Sequence, residues 1–443
     1  MSSKKTIFIK NITEKLDAVS PSMCLAKWTQ TTTYLNTGHT HSCHHPSVHK
    51  IPTEGLDEHP EWIHNTPYKQ QIRQQMLDGI RPPECDYCWR IEDLPGDHAS
   101  DRMLKSAAHW SADHYDQIVK SGTGPNFAPT MLEVSFETTC NFACSYCLPE
   151  VSSKIYGEIQ AHGPYQLFSR TIHTIREDRS TTKLDLNTPG DNVYIDAFWK
   201  AIPQWWSTLD TFRITGGEPL LSKHTWGMMD FVEANANKDL TFAINTNLGV
   251  PDQKIDQLIK RVNEIEPNLR RFTVYTSVEA TGKQAEYIRY GMDYPKFMAN
   301  VSRVLDETNA DLALMTTINI LSYSTFTEAI HQFLALRARY PNRVNLSFNY
   351  LRHPECLDMR NLPEVLKQKW AAELYQLMEH PFINQYETMS ISRVIDYMLS
   401  SVEPAILEVN QKDLVMYARE LDKRRGLDFP GTFPDLFALL PGV

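Results

Sequence analysis

What the chain lacks narrows it first. No apolar run reaches the length of a membrane span, and the first ten residues, with their lysines and one short apolar triplet, hold no hydrophobic segment of signal-peptide length. A cytoplasmic protein with no membrane partner is the expectation. Positive charge is also scarce: 44 Lys and Arg stand against 54 Asp and Glu, a formal net charge of -10. That balance argues against chain-wide attraction to phosphate backbones, so nucleic acid is not the expected partner. With 18 Gly and 26 Pro among 443 residues there is no low-complexity segment, and no internal repeat is visible. Eight cysteines are too few for a disulfide scaffold of this length. What remains is an ordinary globular composition, 42% hydrophobic and 22% charged, long enough for one barrel-sized unit with smaller additions.

Seven of the eight cysteines fall into two groups, Cys24, Cys43, Cys85 and Cys88 in the first and Cys140, Cys144 and Cys147 in the second. Grouping of this kind, without a secretory signal, points to metal and not to disulfides. Cys356 stands alone and reads as a small buried hydrophobe.

From residue 131 onward short apolar, β-branched runs alternate with longer amphipathic stretches, the βαβ rhythm of a parallel sheet or barrel. Strands are expected at 131–136, 211–215, 240–245, 271–277, 312–319 and 344–350, with helices at 224–234, 252–264, 295–308 and 325–340. Right-handed crossovers curl such units into an α/β fold, a partial (β/α)6 TIM-like barrel over 126–355. A stretch rich in Thr, Arg and Asp at 163–191 interrupts the first crossover and is expected beside the active face. The last part, 356–443, reads as a helical extension capping the barrel, with helices at 362–377, 390–401 and 407–421. Residues 1–125 show no βαβ rhythm and are expected to form a different module, in which a helix over 61–79, stopped at Gly79, delivers the chain to the Cys85 pair.

The run Cys140-Asn-Phe-Ala-Cys144-Ser-Tyr-Cys147 directly follows the first expected strand, where the active face of a parallel barrel lies. Three thiolates hold three irons of a four-iron cubane and leave the fourth open for chemistry; a zinc knuckle completed by a histidine is the competing reading. On these residues the chain resembles the radical S-adenosylmethionine superfamily, and the resemblance covers about 131–350. It implies that an open iron chelates the amino and carboxylate groups of S-adenosylmethionine. One electron then splits the sulfonium to a 5'-deoxyadenosyl radical, which takes a hydrogen atom from substrate. An electron donor such as flavodoxin or ferredoxin is implied with it.

The same resemblance extends to other barrel positions. Tyr146 occupies the place of an aromatic residue near the adenine. Gly216-Gly217-Glu218-Pro219, closing the second strand, looks like the motif that receives the methionine amino group, since two glycines expose backbone carbonyls and Glu218 can accept from an ammonium. Asn247, Ser277 and Glu279 end the third and fourth strands near the implied cofactor, the last two suiting ribose hydroxyls. Arg289 resembles an arginine that pairs with the methionine carboxylate in related enzymes, or is a surface arginine. Asn319 resembles an asparagine that contacts the cofactor, or serves as a strand cap. The sixth strand lacks the glycine-rich adenine motif of some members.

Upstream, Cys24-Leu-Ala-Lys27-Trp28, Gly38, Cys43 and Cys85-Asp-Tyr-Cys88, with Glu92, Gly96, Ser100 and Arg102 nearby, resemble the shortened SPASM module called twitch, in the version that precedes the barrel. The resemblance implies a second, auxiliary four-iron cluster on Cys24, Cys43, Cys85 and Cys88. Spacing alone does not choose between iron-sulfur and zinc. Usual members carry proline where Lys27 stands and two adjacent cysteines where Cys43-His44 stands, which leaves a role open for His44 or His45. His39, His41 and His49 read either as a further metal site or as a solvated loop. The expected function is hydrogen abstraction from a peptide or small-molecule substrate. The alternatives are transfer of an aminocarboxypropyl or methyl group from the same cofactor, and a non-catalytic zinc-binding protein.

Overall fold

The computed structural model describes residues 3–93, 99–175 and 192–442. Its centre is a nine-stranded sheet. Numbered along the chain, the strands are β1 (Gln30–Tyr34), β2 (His39–His41), β3 (His49–Lys50), β4 (Met131–Ser135), β5 (Thr211–Thr215), β6 (Asn237–Asn245), β7 (Leu269–Thr276), β8 (Asp311–Ile318) and β9 (Val344–Tyr350). The order runs from β9 through β8, β7, β6, β5 and β4 to β1, then β2 and β3. Every pairing from β9 to β1 is parallel, and only the β1–β2–β3 corner is antiparallel. This is an α/β fold with a large, mostly parallel sheet, compatible with a barrel-like architecture.

The two faces of the sheet differ because strand side chains alternate. Leu132, Val134, Phe212, Ile214, Phe242, Ile244, Phe272 and Val274 are buried on one face, where Phe212, Phe242 and Phe272 form a ladder with ring centroids 5.4 Å apart. Helices cover that face through apolar stripes at three-to-four spacing, such as Ile255, Leu258, Ile259 and Val262 of the helix Asp252–Ile265. The opposite face is polar. There Arg213 donates to Asn245 Oδ1 at 2.7 Å, pairs with Glu133 at 3.4 Å, and lies 4.2 Å from the centre of the Tyr275 ring.

All six strands expected from sequence are present, within three residues at either end. The first 125 residues are a different matter. They have a core of their own, in which Ile12, Leu16, Met23, Leu25, Trp28 and Met76 pack with Cys24, Cys85 and Cys88. Yet β1 from this segment pairs in parallel register with β4, Gln30 opposite Met131 through Tyr34 opposite Ser135, so the sheet runs continuously from one part into the other. The helix expected over 61–79 is broken into a turn at Pro60–Ile63 and a helix at Pro67–Leu77. Pro67 has no N–H to continue a preceding helix, and the Thr66 side chain instead caps the new one by accepting from Lys69 N at 3.1 Å. Gly79 ends it with φ of 77°. The insertion at 163–191 begins as a hairpin of Tyr165–Gln166 with Thr171–Ile172; residues 176–191 lie outside the described residues.

Three helices, Glu364–Met378, Gln385–Leu399 and Pro404–Arg425, make up most of the C-terminal part. Gln385–Leu399 lies against the edge strand β9, with Tyr397 stacked on Tyr350 at 4.0 Å, which covers one exposed edge of the sheet. No described helix is long and apolar enough to cross a membrane.

Candidate functional site

Cys140, Cys144 and Cys147 lie in the loop that leaves the C-terminal end of β4. Ala143–Cys144 pairs antiparallel with Arg289–Tyr290, and Ser145 N donates to Ile288 O at 2.7 Å. Cys140 N donates to Ser153 Oγ at 3.0 Å, at the start of the helix Ser153–His162. The loop is also gripped from behind by the C-terminal helix. Tyr417 Oη donates to Ser145 O at 2.5 Å, and Arg425, paired with Glu158 at 2.7 Å, donates to Ala143 O at 2.8 Å. Tyr417 and Arg425 were not foreseen from sequence, because a contact spanning some 270 residues leaves no local pattern. All three thiols are half-buried. Burial pushes Cys140 up to about 11 and raises Cys147, and it raises Cys144 against the opposing pull of the Arg289 guanidinium.

Two strand-end turns close on this loop. Gly216, with φ of 126°, and Gly217 lie so near the segment that precedes Cys140 that a Cβ on Gly217 would stand 2.3 Å from Thr139 O, and one on Gly216 would stand 2.7 Å from Glu137 O. Glu218 N donates to Thr139 O at 2.7 Å. The Glu218 carboxylate is buried and already accepts from Thr246 Oγ1 (2.7 Å), Asn247 N (2.7 Å) and Leu220 N (3.0 Å), so it ties its own turn, which contains Pro219, to the end of β6. Three donors thus reach a carboxylate that was expected to take an ammonium group, and they leave one of its about four acceptor positions. Burial raises it to about 7 in spite of those three donors. The second turn, 245–249, is knitted to the cysteine loop by Asn247 Nδ2 to Asn141 Oδ1 at 2.8 Å and Asn141 Nδ2 to Gly249 O at 2.9 Å. The Asn247 side chain also accepts from Gly249 N at 2.8 Å.

Glu279 and Arg289, expected near a cofactor, pair with each other. The Arg289 guanidinium makes a two-point pair with Glu279, Nη2 to Oε1 at 2.6 Å and Nε to Oε2 at 2.8 Å, and both side chains are buried. Tyr146 Oη and Thr317 N each donate to Glu279 Oε1 at 3.1 Å, and Arg289 Nη1 lies 3.8 Å from Cys144 Sγ. These groups form a wall behind Cys144, with the guanidinium 5.5 Å from the centre of the Tyr146 ring. Asn319 is fully buried as a cap: Oδ1 accepts from Leu321 N and Nδ2 donates to Thr317 O, both at 3.0 Å. Ser277 is half-buried at the end of β7, and its hydroxyl has no protein partner among the described residues.

The four upstream cysteines converge. Cys24, Cys43, Cys85 and Cys88 all line one cavity, together with Lys27, His45 and Arg102. Lys27 is buried and paired with Glu84. Arg102 is held by Glu92 (Nε to Oε1 2.9 Å, Nη2 to Oε2 2.8 Å), and Ser100 Oγ donates to the same carboxylate at 2.5 Å. Glu92, Ser100 and Arg102 are thus one unit; Gly96 lies outside the described residues. Burial pushes Cys85 and Cys88 up to about 12, so free thiols there stay neutral. A bound metal centre reverses this by deprotonating its ligands outright. The cavity, with its four thiols and with buried cations at its wall, fits an anionic thiolate-ligated group.

His45 lines the same cavity, stacked on Tyr87 at 3.7 Å and bonded to Asp101 at 2.7 Å. His44 is exposed, 3.5 Å from Gln30. His39 and His41 are buried in β2 and His49 is in β3, so the solvated-loop reading is replaced by strands. Among the described residues no three His, Cys, Asp or Glu are grouped so as to hold a metal ion, and no cysteine is in a disulfide. Cys356 is buried in the main core. Neither protein-family models nor curated proteins gave a match to this chain.

Proposed function

We propose that this protein is a radical S-adenosylmethionine enzyme with an auxiliary iron-sulfur cluster, acting on a peptide or small-molecule substrate by hydrogen abstraction. The observation that carries the reading is the Cys140, Cys144 and Cys147 loop, which leaves the C-terminal end of β4 and is clasped by the turns at 216–219 and 245–249 from the ends of β5 and β6. On a parallel sheet this is the end where ligands collect. Bound to these thiols, a four-iron cluster would supply the electron that splits S-adenosylmethionine.

The chain's own residues then divide the work. Gly216 and Gly217 let backbone approach where a side chain would clash. Tyr146 offers a ring within the loop, and Ser277 a hydroxyl at the end of β7. Glu279 and Arg289 hold the wall behind Cys144, and Asn247 and Glu218 lock the turns. Cys24, Cys43, Cys85 and Cys88 would hold the auxiliary cluster. All four line one cavity, which is what supports a shared ligand for them.

Anaerobic reconstitution followed by metal analysis and mass spectrometry of the nucleoside product tests the proposal. The expected result is about eight irons per chain from two four-iron clusters, with 5'-deoxyadenosine as product. Methylthioadenosine in its place would point to group transfer. Zinc without iron would leave a non-catalytic metal protein.

A further inference from the structure

Two ion pairs join the segment of Cys24 to the segment of Cys85 and Cys88. Lys27, whose N donates to Cys24 O at 3.1 Å, pairs with Glu84, the residue directly before Cys85. Arg102 donates from Nη1 to the carbonyl of Met23, directly before Cys24, at 2.9 Å. Its Nε and Nη2 grip Glu92, the last residue of the helix Asp86–Glu92 that carries Cys88. Both cations are buried, Lys27 at 3% and Arg102 at 4% exposure.

The two pairs share a direction. Lys27 and Arg102 line the cavity of the four thiols, and Glu84 and Glu92 do not, so each pair has its cation on the sulfur side and its carboxylate behind. The carboxylates are anchored there, Glu84 Oε2 by Tyr68 Oη at 2.7 Å and Glu92 Oε1 by Ser100 Oγ at 2.5 Å. Asp101 also lines the cavity, matched by Lys105 at 3.4 Å and His45 at 2.7 Å. A four-iron cluster on four thiolates is an anion, and reduction adds one more negative charge. Buried charges are screened little by salt and act strongly through the protein interior, so cations on the sulfur side favour the reduced state.

We propose that Lys27 and Arg102 raise the reduction potential of the auxiliary cluster, each as the inner half of an ion pair whose carboxylate is held away from the sulfurs. The assignment rests on the reading of Cys24, Cys43, Cys85 and Cys88 as cluster ligands. It makes the two cations positioning residues for charge, which shape how readily the centre takes up one electron from a reductant; no bond forms or breaks in that step.

The test uses the full chain with Cys140, Cys144 and Cys147 all replaced by alanine, so that the auxiliary cluster is the only iron centre. It is reconstituted anaerobically and titrated with dithionite at measured potentials, the reduced cluster being followed by electron paramagnetic resonance. Lys27→Met, Glu84→Gln and the two together are compared in that background, each with iron per chain measured. Lys27→Met should shift the balance at least about tenfold toward the oxidised cluster, a fall of about 59 mV for one electron. Glu84→Gln, which removes the charge behind the lysine, should move it the opposite way. The double variant should lie below the parent and no lower than Lys27→Met. If Lys27→Met does not load iron, Glu84→Gln decides alone, since it keeps the lysine and an acceptor for it. A Lys27→Met potential at or above that of the parent, or a Glu84→Gln potential at or below it, would overturn the assignment and leave the auxiliary cluster standing. Zinc, or no metal, on the parent protein would sink the cluster reading and the assignment with it.

Discussion

Gly249→Ala puts the clasp around the cysteine loop under direct strain. A Cβ at this position would stand 2.2 Å from Phe142 Cζ and 2.7 Å from Phe142 Cε1. Carbon atoms settle at about 3.5–4.0 Å, so ring or turn must give way by more than ~1 Å. The ring has little room, since Phe142 is 1% exposed within the main core. The turn is tied to the loop by Asn141, which donates to Gly249 O at 2.9 Å. Overpacking of this kind costs about 1–3 kcal/mol. The displaced residue lies between Cys140 and Cys144, so the loss should fall on the three-cysteine site, and iron should drop from about eight to about four per chain while the auxiliary cysteines keep theirs. Phe142→Leu, which shortens the obstructing side chain, should restore part of the iron in the Gly249→Ala background. The assay is iron per chain after anaerobic reconstitution, with thermal melting alongside. A Gly249→Ala protein with full iron and an unchanged melting curve would refute the clasp.

Three further outcomes are expected. Cys85→Ser should remove about four irons and leave the three-cysteine site loaded, as read by iron analysis. Glu279→Gln strands the buried Arg289 guanidinium and should cost about 3–5 kcal/mol in urea unfolding, while the double variant Glu279→Gln with Arg289→Met should cost less than the sum of the singles. Glu218 has its carboxyl raised by burial from 4.5 to about 7, so the folded state keeps the proton longer than the unfolded chain does. Its contribution to stability should therefore fall as pH climbs from about 4.5 to about 7, by an amount on the order of 3 kcal/mol, and level off above. Unfolding of wild type and Glu218→Gln compared across that window should show the difference, and parallel pH curves would contradict it.

The six parallel strands were legible because their apolar side chains face helices, leaving β-branched and aromatic runs between amphipathic stretches. β1 was not, because its sequence, Gln-Thr-Thr-Thr-Tyr, has no aliphatic side chain. Its burial is supported by polar contacts instead, with Lys69 Nζ donating to Thr31 Oγ1 at 2.7 Å and, in β2, to Thr40 Oγ1 at 2.9 Å. The helix expected at 390–401 begins earlier, at Gln385, where Asn384 and Glu387 form a capping box. The cysteine groups and the 216–219 turn could be read from spacing. What spacing could not tell was which contacts the polar groups make within the chain: Glu218, Glu279, Arg289 and Asn319 look unattached in one dimension, and each bonds to other groups of the folded chain. Tyr417 and His173 escaped notice for the complementary reason, since their meeting depends on a helix packing against a distant loop.

The most direct measurement compares the wild-type chain with a variant in which Cys140, Cys144 and Cys147 are all alanine, each reconstituted anaerobically, reduced and given S-adenosylmethionine. The wild type should release 5'-deoxyadenosine, and the variant should release none while keeping about four irons on its remaining cysteines. Equal release from both proteins, or intact S-adenosylmethionine in a fully iron-loaded wild type, would contradict the account.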